Sequence, residues 1–392
     1  MKVAGIIAEY NPFHLGHAYL AQKARENGAT HIVAVMSGNF VQRGIPSLFD
    51  HRTRTAAALM NGVDLVLQLP AVYAVSSAQN FAKAGTDILN GLGIVDELVF
   101  GSECGKIEKI NAAVDALDSE SFKPLLDAEL KKGIAFASAR ENALRFINPE
   151  AADIIKSPNN ILGVEYVSAL RTSQSKITPI TFGRIGANHD SGKAVNGIAS
   201  ASQIRNDFSG GEWEKFVPQN SVGLYKNAVT TDIKKIESAI LYKMRTVDAV
   251  SLSRVPDISE GIENRIISAA AEAKSLEELY SLAKTKRYSH ARIRRIVLNC
   301  FLGITADDLA LPVPYIRITG FNESGAELIK KAKCSAKMPI ITKASDIAAL
   351  GNDAQRIFSL ECTAGNIYAL CFNEPLPCGA EKKFKPVIIS GQ

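Results

Sequence analysis

The stretch Val3-Ala4-Gly5-Ile6-Ile7-Ala8-Glu9-Tyr10-Asn11-Pro12-Phe13-His14-Leu15-Gly16-His17-Ala18-Tyr19-Leu20 decides the reading of the fold. Val3 to Ala8 is a short apolar run without polar alternation, which reads as a strand buried on both faces. From His17 to about Asn27 the pattern becomes amphipathic and reads as a helix. Asn11-Pro12 stiffens the loop between the two.

The same alternation continues along the first half of the chain. His31 to Met36, Asp64 to Leu69, Glu97 to Phe100 and Ile177 to Arg184 read as strands, and Arg52 to Asn61 and Ser76 to Leu92 as helices. Apolar strands alternating with helices indicate an α/β fold with a parallel sheet covered on both faces. Ligands of such sheets bind outside the carboxyl ends of the strands. The chemistry is therefore expected in the loops Glu9 to Gly16, Ser37 to Gly44, Leu69 to Tyr73 and Gly101 to Glu103.

Beyond Arg184 a loop carrying Gly, Asn, His, Asp and Ser runs to Ala199, and Pro218 and Gly223 mark a change of character. Ile233 to about Asn299 reads as mainly helical and basic. From Tyr315 the strand-like Ile316 to Phe321, a helix over Ala326 to Lys333 and Pro339 to Thr342 suggest a small α/β C-terminal part, with an irregular tail after Leu376. The resulting expectation is three regions, 1–215, 216–312 and 313–392.

Composition sets outer bounds. With 392 residues, 46% hydrophobic and 22% charged, the chain has an ordinary globular make-up. No run approaches the roughly 20 apolar residues of a membrane span, and Glu9 interrupts the first apolar run too early for a signal peptide. A cytoplasmic protein is the expectation. Cys104, Cys300, Cys334, Cys362, Cys371 and Cys378 contain no C-x-x-C pair, which argues for buried free thiols over a zinc ribbon or a disulfide framework. A net charge of +5 permits a nucleic-acid partner without requiring one.

His14-Leu15-Gly16-His17 lies in the turn between the first strand and the first helix. Two imidazoles beside the amides of a helix N-terminus suit phosphate, and Gly16 removes a side chain where a ligand must come close. Two solvent-exposed histidines or a metal-binding pair are the alternatives; Glu9 is the one nearby third ligand. A second segment, Ala199-Ser200-Ala201-Ser202-Gln203-Ile204-Arg205, offers two hydroxyls and a guanidinium. Ser200, Ser202 and Arg205 suit phosphate contact, and Ser200 or Ser202 equally suits a helix N-cap.

The two segments together resemble the HxGH nucleotidyltransferase superfamily, which shares its Rossmann-like (HUP-type) core with class I aminoacyl-tRNA synthetases. Ala199 and Ala201 depart from that superfamily's second signature. Longer strings resemble one family within it, the bacterial tRNA(Met) cytidine acetate ligases. These are Gly5 to His14, Met36-Ser37-Gly38-Asn39-Phe40-Val41-Gln42-Arg43-Gly44, Phe100-Gly101-Ser102-Glu103, Ser157-Pro158-Asn159-Asn160-Ile161-Leu162-Gly163 and Lys284-Thr285-Lys286-Arg287-Tyr288.

The resemblance implies ATP-dependent activation of acetate to acetyl-adenylate, then acetylation of N4 of the wobble cytidine (position 34) of elongator tRNA(Met). It implies His14 and His17 as catalytic residues and ATP contacts along Ile7 to Leu20, at Gly101, at Asn160 and at Arg184-Ile185. Gln42 and Arg43 are candidates for the acetate pocket, and Mg2+ is expected with the phosphates. Taken singly, Gly101 is equally a turn glycine, Asn160 a helix cap and Arg184 a solvated cation.

Lys284, Lys286, Arg287, Arg292, Arg294 and Arg295 occupy a stretch without an acidic residue, with Tyr288 and His290 among them. With the resemblance, this reads as a tRNA-binding surface with an aromatic for stacking, and Arg317 and Lys330, Lys331 and Lys333 are expected to extend it. The rival readings are a small-molecule adenylyltransferase of the same superfamily and a non-catalytic RNA-binding protein liganded by ATP.

Overall fold

A computed structural model describes residues 1–185, 197–259 and 261–390. The chain folds around one eight-stranded sheet. Its strands are β1 (Val3–Ala8), β2 (His31–Ser37), β5 (Leu65–Leu69), β6 (Glu97–Ser102), β7 (Thr178–Gly183), β8 (Ile316–Phe321), β9 (Ile340–Ile341) and β10 (Val387–Ile388). Two short strands, β3 (Phe40–Val41) and β4 (Ile45–Pro46), form a separate antiparallel hairpin. The sheet order is β10-β8-β5-β2-β1-β6-β7, with β9 alongside β8. Every pair is parallel except β5 and β8.

The uninterrupted apolar runs follow from burial of both faces. Val3 and Ile7 of β1, Val33 and Val35 of β2 and Leu65 and Leu67 of β5 belong to one core. Their neighbours Ala4 and Ile6, Ile32 and Ala34, and Val66 belong to the core on the opposite side. Successive residues of a strand point to opposite faces, so covering both faces demands apolar residues at every position. The helices Ala78–Leu92 and Asn352–Tyr368 cover the first face. Leu15–Glu26, His51–Leu59 and Gln219–Asn227 cover the second.

The five strands read in the first half all form, within two residues of the expected ends. The basic region is helical as expected and has a core of its own, centred on Ile240, Ile266, Leu279, Ile293 and Ile296. At Ile316 the chain returns to the main sheet: β8 pairs antiparallel with β5, so the C-terminal α/β part extends the sheet instead of forming a second one.

The tail is also more ordered than its composition suggests. Val387 and Ile388 pair with β8, and Glu381 is buried against Arg317 at 2.6 Å. A two-residue strand is invisible to periodicity, because its pairing partner lies far away in sequence. Cys300, Cys362 and Cys371 are buried, while Cys334 and Cys378 are exposed and Cys104 is half-buried; all six are free thiols. Most of the polar loop expected before Ala199 lies outside the described residues. Among the described residues, no helix is long and apolar enough to cross a membrane.

Candidate active site

β1 and the helix Leu15–Glu26 meet at the H-x-G-H turn. His14 is the N-cap of that helix. Its Nδ1 accepts the N–H of Gly16 at 3.0 Å, and Nδ1 of His17 accepts the N–H of His14 at 3.2 Å. This is a reciprocal cap in which imidazoles take the places usually held by a hydroxyl and a carboxylate. A backbone N–H can only donate, so both Nδ1 atoms are acceptors and each neutral ring carries its proton on Nε2.

Several features hold His17 in that state. The two rings lie 3.9 Å apart, and the rings of Tyr10 and Phe13 pack against His17 at 4.8 and 5.5 Å. Burial, then the neighbouring His14 and Arg184, hold the His17 pKa well below its ordinary value. His17 is therefore a neutral N–H donor throughout the physiological range. Gly16 serves this geometry directly: a Cβ there would stand 2.8 Å from Cε1 of His14, so the missing side chain makes room for the imidazole itself.

The turn opens into a cleft of about 360 Å³ at the carboxyl ends of β1, β6 and β7. His14, Gly16, His17, Tyr19, Leu20, Gln42, Arg43, Gly101, Arg184, Ile185, Ser200, Ser202 and Arg205 all line it. Residues from His14 to Arg205 are thus brought to one cleft. Ser200 also caps the short helix Ala201–Asn206, accepting the N–H of Gln203 at 3.2 Å. The guanidinium of Arg205 donates to the carbonyl of Asn11 at 2.7 Å and to Ser202 Oγ at 3.0 Å. Burial holds its pKa down to about 10, which leaves it cationic at neutral pH. Arg43 reaches the same Ser202 hydroxyl at 3.4 Å. Two cations and a hydroxyl thus converge in the cleft that the histidine pair also lines.

The far wall is apolar, formed in part by Phe81, Phe100, Leu162, Tyr166 and Phe182. Apolar walls with a few convergent polar groups are the usual make-up of a small-molecule site. Arg184 is tied across this wall, donating to Asn159 Oδ1 at 2.9 Å. A Cβ on Gly101 would meet Arg184 Cγ at 3.2 Å, so Gly101 lets that side chain lie flat over the strand end.

Some expected contacts sit behind the cleft surface. Pro12, Phe13, Leu15 and Ala18 do not line the cleft, and Phe13 is fully buried beneath it. Asn160 is also buried, accepting the N–H of Cys104 at 3.1 Å, while its neighbour Asn159 faces the cleft.

Sequence reasoning missed two supports. Glu103 accepts from Asn159 N and from Asn160 N at 3.2 and 2.8 Å, an anion at the N-terminus of the helix Pro158–Thr172. Arg54 is fully buried and donates to the carbonyls of Phe49, Glu9, Ser37 and Gly38. It ties together the loops that follow β1 and β2. The signal was a lone arginine facing inward from the alanine-rich run Thr53 to Leu59.

The basic stretch is less uniformly available than its charge implies. Arg295 is paired with Asp257 at 2.8 Å. Arg292 donates to the Asp257 carbonyl and to Ser259 Oγ and stacks over Tyr288. Tyr288 is only 6% exposed, so the aromatic expected to stack a base is part of the core. Arg294 reaches Glu277 at 3.4 Å, whereas Lys284 and Lys286 are exposed. Arg317 does not extend this surface. It is buried in the sheet, paired with Glu381 and flanked by the rings of Phe358 and Phe384. An inward-pointing strand residue cannot reach solvent, whatever its charge.

The strand–turn–helix site and its sheet are those of a nucleotidyltransferase, and a family model described as HIGH Nucleotidyl Transferase matches residues 1–382. Over nearly their whole lengths, curated relatives narrow this further. A tRNA(Met) cytidine acetate ligase of Clostridium perfringens is 38% identical over 99% of this chain and 100% of its own. One from Clostridium kluyveri is 38% identical over 99% of each chain. The crystal structure of Thermotoga maritima TmcAL bound with alpha-thio ATP superposes with a TM-score of 0.92 at 30% identity, covering 100% of both chains. The chain belongs to the tRNA(Met) cytidine acetate ligase family.

Proposed function

We propose that this protein activates acetate with ATP to acetyl-adenylate and transfers the acetyl group to N4 of the wobble cytidine, position 34, of elongator tRNA(Met). The observation that carries the reading is the reciprocal cap of His14 and His17 at the end of β1, which leaves the ring protons on Nε2, in a cleft also lined by Arg43, Ser202 and Arg205.

In the first step an acetate oxygen attacks the α-phosphorus of ATP and the bond to pyrophosphate breaks. His14 and His17 donate hydrogen bonds to phosphate oxygens as charge develops on them. Being neutral, the imidazoles need lose no proton first. Ser202 and Arg205 hold the leaving pyrophosphate, and Gln42 and Arg43 the carboxylate of acetate. The apolar wall at Phe81, Phe100 and Leu162 takes the adenine, with Gly101, Arg184 and Ile185 beside it. Mg2+ would neutralise phosphate charge, held chiefly by the phosphate oxygens, with Glu9 the carboxylate lining this cleft among the described residues. In the second step the cytidine N4 attacks the acetyl carbonyl, the C–O bond to AMP breaks, and the nitrogen loses a proton. That step is mainly one of positioning.

Residues 1–215 form the activating unit, residues 216–312 present the RNA surface, and residues 313–392 complete the sheet. Lys284 and Lys286 are the exposed members of that surface; Arg287, Arg292, Arg294 and Arg295 shape it. A protein that acts on tRNA with ATP and acetate works in the cytoplasm. The test is to incubate the protein with labelled acetate and ATP, with and without bulk tRNA. Label in acetyl-adenylate alone, and in tRNA when it is added, is the expected result; adenylate without labelled tRNA would remove the acceptor from the reading.

A further inference from the structure

The helices Phe122–Leu130 and Phe136–Ile147 are joined by the turn Lys131-Lys132-Gly133-Ile134-Ala135. It belongs to the activating unit and lies far from the basic segment in sequence, Gly133 against Arg287. In space the two meet: a Cβ on Gly133 would stand 2.9 Å from a guanidinium nitrogen of Arg287. The basic segment also touches the cleft's own hairpin. A Cβ on Gly44 would stand 2.8 Å from the backbone of Arg294 and Arg295, and the adjacent Arg43 lines the cleft. The segment from Arg287 to Arg295 therefore bridges the mouth of the cleft and the Lys131 turn.

The two segments themselves carry charge of one sign, although Asp257, Glu277 and Glu129 pair with Arg295, Arg294 and Lys132. Lys131 to Arg140 contains no acidic residue, like Lys284 to Arg295. Lys131 is exposed; Lys132 is paired with the buried Glu129 but keeps its side chain 61% exposed. Next to them stands Phe136, with 53% of its surface in solvent. It is the exposed aromatic that the basic segment itself lacks, since Tyr288 is buried. An unpaired base stacks on such a ring while neighbouring cations take the phosphates, the pattern by which proteins hold single-stranded RNA loops. Duplex RNA offers no unstacked base, and an acidic protein partner gains nothing comparable from the ring.

We propose that the turn Lys131–Phe136 is the second jaw of the RNA surface, with Lys131 and Lys132 on phosphates and Phe136 stacked on an unpaired base. This rests on the tRNA-acetylating reading. The test measures binding of transcribed elongator tRNA(Met) at several salt concentrations, together with acetate-dependent ATP–pyrophosphate exchange, for the parent, Phe136→Ala and Lys131→Ala. Phe136→Ala is expected to weaken binding by roughly 5- to 150-fold with an unchanged salt slope. Lys131→Ala is expected to lower the slope by about 1. Exchange without tRNA stays at the parent's level in both. Parent-like tRNA affinity in both variants, with a parent that acetylates tRNA, overturns the proposal alone. A parent that neither binds nor acetylates tRNA overturns the underlying reading as well.

Discussion

The rings of His14 and His17 lie with centroids 3.9 Å apart, tilted by 32°, and each uses Nδ1 to accept a backbone N–H of the same helix turn. The cap and the active site are thus one structure. The hydrogen bonds that start the helix also choose the tautomer, with the proton on Nε2.

Replacing His17 by alanine removes one of the two donors. Acetyl-adenylate formation is expected to fall on the order of 10²- to 10³-fold, the usual effect of deleting one preorganised donor. Pyrophosphate exchange measures it, and a loss under tenfold would show that His17 does not act on the transition state.

Because burial keeps His17 neutral, its imidazole resonances in ¹⁵N-labelled protein are expected not to titrate near pH 6.5. The stability contribution follows the same logic. The unfolded histidine takes up a proton below about pH 6.5 and the folded one does not, so stability from this residue is fully present above that pH. It declines as pH falls toward the depressed folded value. A His17 resonance that titrates at its ordinary value would contradict the tautomer assignment.

Gly16→Ala places a methyl where the His14 ring lies. The ring must swing away, and a displacement of about 1 Å costs on the order of 10²-fold in rate. The expected variant is folded by circular dichroism and slow in exchange; full activity would refute the close fit.

Arg54→Met removes a donor from the carbonyls of Glu9, Ser37, Gly38 and Phe49, of which Phe49 keeps the Ser47 hydroxyl. Unsatisfied buried groups cost about 1–3 kcal/mol each, offset in part by relaxation, so a loss of about 3 kcal/mol in urea unfolding is expected. ATP affinity should drop as well, since Arg54 ties the Glu9 and Ser37–Gly38 loops together. A variant within about 0.5 kcal/mol of the parent, the range of ordinary surface substitutions, would rule out that role.

Behind the hairpin, Glu361 accepts from Gln68 Nε2 and Ala71 N at 2.8 and 2.6 Å. Burial first, then the neighbouring Glu381, raises its pKa. A carboxyl raised on folding binds more protons folded than unfolded, so its contribution falls as pH climbs from the ordinary carboxylate value to the raised one. Glu361→Gln is expected to flatten that part of the stability–pH curve, whatever its effect on absolute stability. An unchanged slope would mean that Glu361 titrates normally.

What the sequence determined by itself was local. The doubly buried strands, the helix after β1, the H-x-G-H turn and the Ser200–Arg205 segment were legible because burial on two faces and capping chemistry leave their marks within a few consecutive residues. What only the tertiary structure decided was non-local. The sequence could not show that β8 would join β5 and that the tail would add β10, because pairings such as Leu65 with Phe321 or Gly320 with Val387 join residues far apart in the chain and leave no local pattern. Nor could it distinguish Arg317, sealed in the sheet beside Glu381, from Lys284, left in water, since charge does not reveal which way a side chain faces. The same holds at the site. The two histidines were visible in four residues, but their shared tautomer, the Arg54 brace between the Glu9 and Ser37–Gly38 loops and the turn meeting Arg287 depend on distances that only the folded chain sets.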